Sequence, residues 1–99
     1  MIIVVGVFEV AAEDRQRFLA GKQTQVKTTL AEPGCLDYSF AADAADPRMV
    51  RLLERWETMA DLEAHLVPPA TTPPAVSSIA SRMIEASVSE AEPATTPWG

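Results

Sequence analysis

Glu32-Pro33-Gly34-Cys35-Leu36-Asp37-Tyr38-Ser39-Phe40, followed by Leu53-Glu54-Arg55-Trp56-Glu57 and then by Ala64-His65-Leu66, is the stretch that decides the fold. Pro33-Gly34 is a helix stop. Two strands follow it, over 35–42 and 48–57. The first alternates Leu36, Tyr38 and Phe40 against Cys35, Asp37 and Ser39. The second alternates Val50, Leu52, Glu54 and Trp56 against Met49, Arg51, Leu53 and Arg55. Asp43-Ala44-Ala45-Asp46-Pro47 between them has the composition and length of an antiparallel hairpin connection. Thr58-Met59-Ala60-Asp61 then reads as a capping box. It opens a helix whose apolar stripe is Met59, Leu62 and Leu66 and which ends at Pro68-Pro69.

Working outward, residues 2–10 are β-branched and apolar and read as a strand buried on much of both faces. Gly6 within it points to a bulge or a close approach. Residues 12–31 read as one helix, with Phe18, Leu19, Val26 and Leu30 on its apolar side and Glu13 and Asp14 in its first turn. After the second helix comes a Pro/Thr-rich loop or lid, 68–74. A short helix over about 75–82 follows, carrying Val76, Ile79, Ala80 and Met83 at helical spacing. Residues 83–91 read as a last strand at an edge. The domain spans 1–92, and 93–99 is a flexible tail polar apart from Trp98. The order β-α-β-β-α-(α)-β is that of an α+β, ferredoxin-like antiparallel sheet with helices on one face. Both strand faces carry apolar residues, so a second copy is expected to cover the other face. The simplest closed solution is a two-fold homodimer, a dimeric α/β barrel.

Composition narrows the partners. At 99 residues the chain is one domain, and its folding buries only about two-thirds of the unfolded surface. A net charge of -6, from 14 acidic and 8 basic residues, argues against nucleic acid and anionic membranes. Cys35 is the only cysteine, which rules out an internal disulfide and fits a reducing cytoplasm. The apolar opening, Met1–Val5, lacks a basic flank and is too short for a signal peptide or a span. A soluble cytoplasmic protein is expected.

Five positions are weighed for chemistry. His65 is the sole histidine, and at about 100° per residue it lies roughly 90° from the centre of its helix's apolar stripe. From that margin it can reach into a cleft and exchange a proton near neutrality, or else it caps a carbonyl at the surface. Trp56 and Tyr38, on neighbouring strands, can line a flat aromatic slot or can pack a core. Glu54 shares a face with Trp56 and Leu52, where a carboxylate is costly unless paired. Arg51 and Arg55 are on the other face, so its partner is expected on another strand or subunit. An ion pair is favoured over a catalytic base. Cys35 follows a helix C-terminus, the wrong pole to activate a thiol, and reads as packing. The residues give no support to a metal site, a phosphate loop, a dinucleotide or a flavin.

Taken together, Glu32-Pro33-Gly34-Cys35-Leu36-x-Tyr38, Asp46-Pro47, Leu53-Glu54-x-Trp56 and Leu62-x-x-His65-Leu66 resemble the antibiotic biosynthesis monooxygenase domain over about residues 2–90. The resemblance implies a ferredoxin-like dimeric barrel with a pocket between sheet and helices. It also implies oxidation of a small aromatic, of anthrone or quinol type, by molecular oxygen without metal, flavin or haem. Mapped onto this chain, His65 would assist proton transfer, Trp56 and Tyr38 would stack or hydrogen-bond, and Phe8 and Phe40 would form walls. Two departures stand out. A haem-degrading branch of the superfamily, and some anthrone oxidisers, use a pocket asparagine, and this sequence contains none. Many relatives also carry a second histidine where this chain has Pro68-Pro69-Ala70-Thr71-Thr72-Pro73-Pro74. The alternative expectation is a non-catalytic ligand-binding or structural dimer, since a fold is reused for many functions.

Overall fold

The structure, a computed structural model, describes residues 1–67 and 79–94. Strand β1 (Ile2–Val10) leads through a 3-10 turn, Ala12–Asp14, into helices α1 (Arg15–Gly21) and α2 (Gln23–Leu30). Strands β2 (Cys35–Ala42) and β3 (Met49–Trp56), helix α3 (Met59–Leu66) and strand β4 (Ser81–Glu90) complete it. The sheet is antiparallel in the order β2-β3-β1-β4, the ferredoxin-like arrangement expected from the element order.

The expected helix over 12–31 is broken. Gly21 closes α1, and the N–H of Lys22 turns back to Leu19 O at 3.1 Å, an i→i−3 bond that tightens the backbone before α2 begins. Glycine is a poor interior helix residue, about 1 kcal/mol worse than alanine, so the break falls beside it. The helix expected over 75–82 lies largely outside the described residues. Its described end is not helical, because Ser81 and Arg82 already belong to β4. The loop 68–74 and Trp98 also lie outside them.

Alternation in β3 is as read: Val50, Leu52, Glu54 and Trp56 are buried, and Arg51 and Leu53 are exposed. In β2 one expectation fails. The pairing with β3 is irregular between Cys35 and Asp37, with Cys35 opposite Trp56 and Asp37 opposite Arg55. Leu36 is the extra residue, and a bulge sends it outward, where it is 43% exposed. Cys35 instead packs on the helix side against Trp56's cluster. A second irregularity lies between Val7 and Phe8 in the pairing of β1 with β4, just beyond Gly6.

Two apolar clusters fill the space between sheet and helices. Ile2, Val4, Trp56 and Leu62 make one, under α3. Val10, Phe18 and Val50 make the other, with Phe8, Leu19 and Phe40 packed on it. The β2–β3 connection is held from the helix side. Arg15 Nη1 donates to the carbonyls of Asp43, Asp46 and Met49 at 3.2, 2.8 and 3.4 Å. Asp43 accepts from the N–H groups of Ala45 and Asp46 and from Arg51 Nε, and these donors hold its carboxyl below the usual carboxylate range, Arg51 first. Among the described residues no helix is long and apolar enough to cross a membrane.

Candidate functional site

The site is built where α3 crosses β3 and the turn after α2. Thr58 starts α3: its hydroxyl accepts from Asp61 N–H at 3.2 Å and donates to Asp61 Oδ2 at 2.8 Å. The cap is thus anchored on Asp61, and Asp61 in turn lies against Gly34. Gly34 has φ +77, and any β-carbon there would collide with the Asp61 carboxylate. Only glycine serves both demands. The Pro33-Gly34 turn and α3 are therefore locked together, with Glu57 N–H donating to Gly34 O at 2.8 Å.

That lock sets His65 opposite the turn. Its Nδ1 is 2.9 Å from Glu32 Oε2, and its Nε2 is 4.0 Å from Glu54 Oε1. A carboxylate can only accept, so the Glu32 contact places a ring proton on Nδ1, while Nε2 faces Glu54. The imidazole lies 5.0 Å from the Trp56 ring and 5.5 Å from the Tyr38 ring, centroid to centroid. His65 therefore reaches inward; it does not sit at the surface capping a carbonyl. Side-chain exposure grades outward along the row, from 7% for Glu54 through 15% for His65 to 34% for Glu32.

Glu54 is buried at 5% exposure, and among the described residues no arginine or lysine lies within ion-pair distance of it. It accepts from Trp56 Nε1 at 3.0 Å, two residues along the same strand. The expected ion pair is thus replaced by an indole hydrogen bond with an imidazole nearby. Tyr38 lies opposite Glu54 in the ladder, and its hydroxyl accepts from Gln25 Nε2 at 2.9 Å. Burial, reinforced by the Glu54 charge and opposed by the Gln25 bond, pushes the Tyr38 phenol up to about 12. Burial likewise pushes the Cys35 thiol up, consistent with a packing role. Among the described residues no buried side-chain nitrogen or oxygen lacks a partner.

The structure brings together His65, Trp56 and Tyr38. Phe8 and Phe40 lie further along the same face, 5.9 Å apart and both against Phe18, within the second apolar cluster. Phe40 links the two groups through Tyr38 at 5.6 Å. Trp56 is fully buried. The opening at His65 is a groove of about 170 Å³ bounded by Glu32, Pro33, Asp61, Ala64 and His65. Glu32 and Gln25, the polar partners of His65 and Tyr38, were not singled out from the sequence as functional. Glu32 carried one available signal, its place in the Glu-Pro-Gly-Cys run. Gln25 carried none. Among the described residues no three His, Cys, Asp or Glu side chains converge so as to hold a metal ion.

Comparison with known proteins places this geometry in a family. A protein from Deinococcus radiodurans, described as a candidate antibiotic biosynthesis monooxygenase, superposes with a TM-score of 0.79 at 21% identity over 100% of both chains. A conserved protein from Methanosarcina mazei gives 0.60 at 31% identity, over 65% of this chain and 63% of its own. MhuD of Mycobacterium tuberculosis, a haem degrader with two haems bound, gives 0.66 at 15% identity over 89% and 90%. An uncharacterised Synechocystis protein is 32% identical over 68 residues, 69% of this chain, and this chain spans 46% of its length. The family profile described as antibiotic biosynthesis monooxygenase matches residues 1–70, the segment that carries β1 to α3 and every polar contact of the site, and the chain belongs to that family.

Proposed function

We propose that this protein is a cofactor-independent monooxygenase of small, electron-rich aromatics of the anthrone or quinol type, working as a homodimer. The observation that carries the reading is the suspension of the only histidine between an outer carboxylate and a buried one, against two aromatic rings. Glu32 holds the ring by Nδ1, and Nε2 is left as the proton acceptor. With an anthrone, His65 Nε2 takes a proton from the reactive methylene. The carbanion passes one electron to molecular oxygen, and the radical pair combines to a C–O bond. The peroxide anion takes the proton back from His65 and, giving up the remaining C–H proton as the O–O bond breaks, loses water to leave a carbonyl, so one oxygen atom enters the product and the other leaves as water. The substrate supplies every electron, and the protein supplies a base, a flat wall and exclusion of bulk water.

The homodimer reading is supported by the sheet face that no helix among the described residues covers. Val5 and Leu53 are cross-strand partners on it and are 42% and 37% exposed. A second copy packed on that face would remove them from water. Sedimentation at micromolar concentration tests this, and a species of only 10.7 kDa defeats it.

A specific observation favours a second reading, a non-catalytic dimer. Trp56 is fully buried, and about 170 Å³ is below the roughly 300 Å³ at which small-molecule pockets begin. Catalysis requires the groove between the Pro33-Gly34 turn and α3 to widen on binding. Oxygen uptake with a panel of anthrones and dihydroxynaphthalenes decides between the two. The enzyme reading expects uptake that is lost in His65→Ala. No turnover of any member, or a fully active His65→Ala, leaves the non-catalytic reading.

A further inference from the structure

A second, larger concavity lies on the other side of α2. It is a groove of about 580 Å³ running between α1, α2 and the outer edge of β2, within the size range of small-molecule sites. Its walls are mostly apolar, with Leu19, Val26 and Phe40 prominent among them. Its floor is the consecutive run Ser39–Ala42. β2 is an edge strand, so alternate backbone groups along that floor have no strand partner.

The charges around it run against those of the chain. The protein carries 14 acidic and 8 basic residues, yet among the described residues the groove is lined by two lysines, Lys22 and Lys27, and by no acid. Lys22 stands where the helix breaks. Its Nζ lies 5.1 Å from the Phe18 ring centre and 5.4 Å from that of Phe40, and donates to Gln25 Oε1 at 3.3 Å. Partial burial holds its ammonium below the ordinary lysine range. An ammonium has three donors, and Gln25 occupies one. Among the described residues neither lysine has a carboxylate within salt-bridge distance. The cation is thus half-desolvated, held over aromatic faces, with spare donors at the mouth of an apolar trough.

From this arrangement we infer that the α1–α2–β2 groove is a binding site for a small amphipathic carboxylate, its apolar body along Leu19, Val26 and Phe40 and its carboxylate on Lys22 with Lys27 at the rim. Aromatic walls and one or two cations select an aryl carboxylate over a neutral aromatic. A desolvated charge-assisted hydrogen bond is worth roughly twice a neutral one. The site is separate from the His65 cluster. The two meet at the Phe40 ring, which touches Tyr38 on one side and lines the groove on the other, and at Gln25, which accepts from Lys22 and donates to Tyr38.

The test is a titration of the full chain with 2-naphthoate and with its neutral isostere 2-naphthamide, followed by amide chemical-shift changes. The inference expects the largest changes at residues 39–42 and around Lys22, with naphthoate at least about tenfold tighter than naphthamide. Lys22→Arg should bind within about twofold of wild type, Lys22→Met should lose most of the preference for the anion, and Lys22→Glu should lose it entirely. Thermal melts establish that each variant is folded, and Lys27→Glu gives a second, milder loss if Lys22→Glu fails to fold. Equal affinity for the two probes overturns the inference. So do shifts centred on His65, or a groove that refuses naphthoate because a second copy or the C-terminal segment fills it. Oxygen uptake plays no part in this test, so its failure and that of the enzyme reading are distinguishable.

Discussion

The two edges of the sheet are built on different terms. At the β2 edge, β2 and β3 lie under α1, α2 and α3. Trp56 and Val50 there are completely buried, and even the one carboxylate facing inward is hydrogen-bonded. At the other edge, β4 pairs with β1 along its whole length, yet all ten of its residues are exposed, including Met83 at 46%, Ile84 at 40% and Val88 at 53%. One edge is held by side chains and backbone together, the other mainly by backbone, with an exposed Arg82–Glu9 pair between the two strands. A ladder without burial contributes little net stability, since each hydrogen bond exchanges for one with water and nets only about 0.5–1.5 kcal/mol. The apolar residues of β4 therefore gain their stabilisation from whatever else covers them, and the chain concentrates its own packing around the candidate site.

The sharpest way to break this comparison is to truncate one side chain on each side. Trp56→Ala should cost about 3–5 kcal/mol in urea unfolding, because it opens a large cavity and takes away the indole donor of Glu54. Val88→Ala should cost under about 1 kcal/mol when the protein is dilute. If the two costs are equal, the edges are not built differently. If the cost of Val88→Ala grows with protein concentration, a second copy supplies the missing cover, and the homodimer reading gains its energetic basis.

Alkaline titration tests the packed half more gently. Tyr38 is the only tyrosine, so phenolate absorbance reports it alone. Burial pushes its folded pKa up to about 12, above the ordinary phenol value of about 10. Below pH 10 neither the folded nor the unfolded form is ionised and stability is unaffected. Above it the unfolded chain loses the proton first, so stability falls as pH rises from about 10 to 12, by roughly 2–3 kcal/mol in total. Tyr38→Phe should flatten that fall. A phenol titrating near 10 in the folded protein would mean that the Tyr38 environment is open to water. The same half also holds Gly34 against Asp61, and Gly34→Ala should cost roughly 1–3 kcal/mol, because its strain is in the backbone as well as in the contact. Adding Asp61→Ala should recover only part of that loss.

What the sequence made legible follows the same division. Period-2 alternation in β3 and the Thr58 cap are local patterns, and both appear as read. Leu36 was misplaced because a bulge shifts the pattern by one residue while leaving the composition unchanged. The helix break at Lys22 was missed because the apolar residues keep a helical spacing on both sides of Gly21. The inward reach of His65 follows from the margin it occupies on α3. Glu32, its partner 33 residues earlier, was not found in that role, because nothing local ties a turn carboxylate to a distant ring. The partner of Glu54 is expected on another strand or subunit; within the chain, the neighbour on its own strand face, Trp56, donates to it.

The smallest expected effect lies at the rim of the packed half. Glu32 is one-third exposed, so replacing it should change stability by less than about 1 kcal/mol. The consequence to look for is in the ring it holds. As the only histidine, His65 gives ring ¹⁵N signals that need no assignment. In the neutral wild-type ring the proton should reside on Nδ1 and the lone pair on Nε2. Glu32→Gln should keep that tautomer, because the amide oxygen still accepts from Nδ1–H. Glu32→Ala should let it relax toward the Nε2–H form that predominates in free histidine. If proton acceptance at Nε2 drives oxygen uptake, Glu32→Ala should lower turnover while Glu32→Gln largely preserves it. Identical tautomers in all three proteins would show that Glu32 does not orient the ring. The packed half would then owe its order to Trp56 and Gly34 alone.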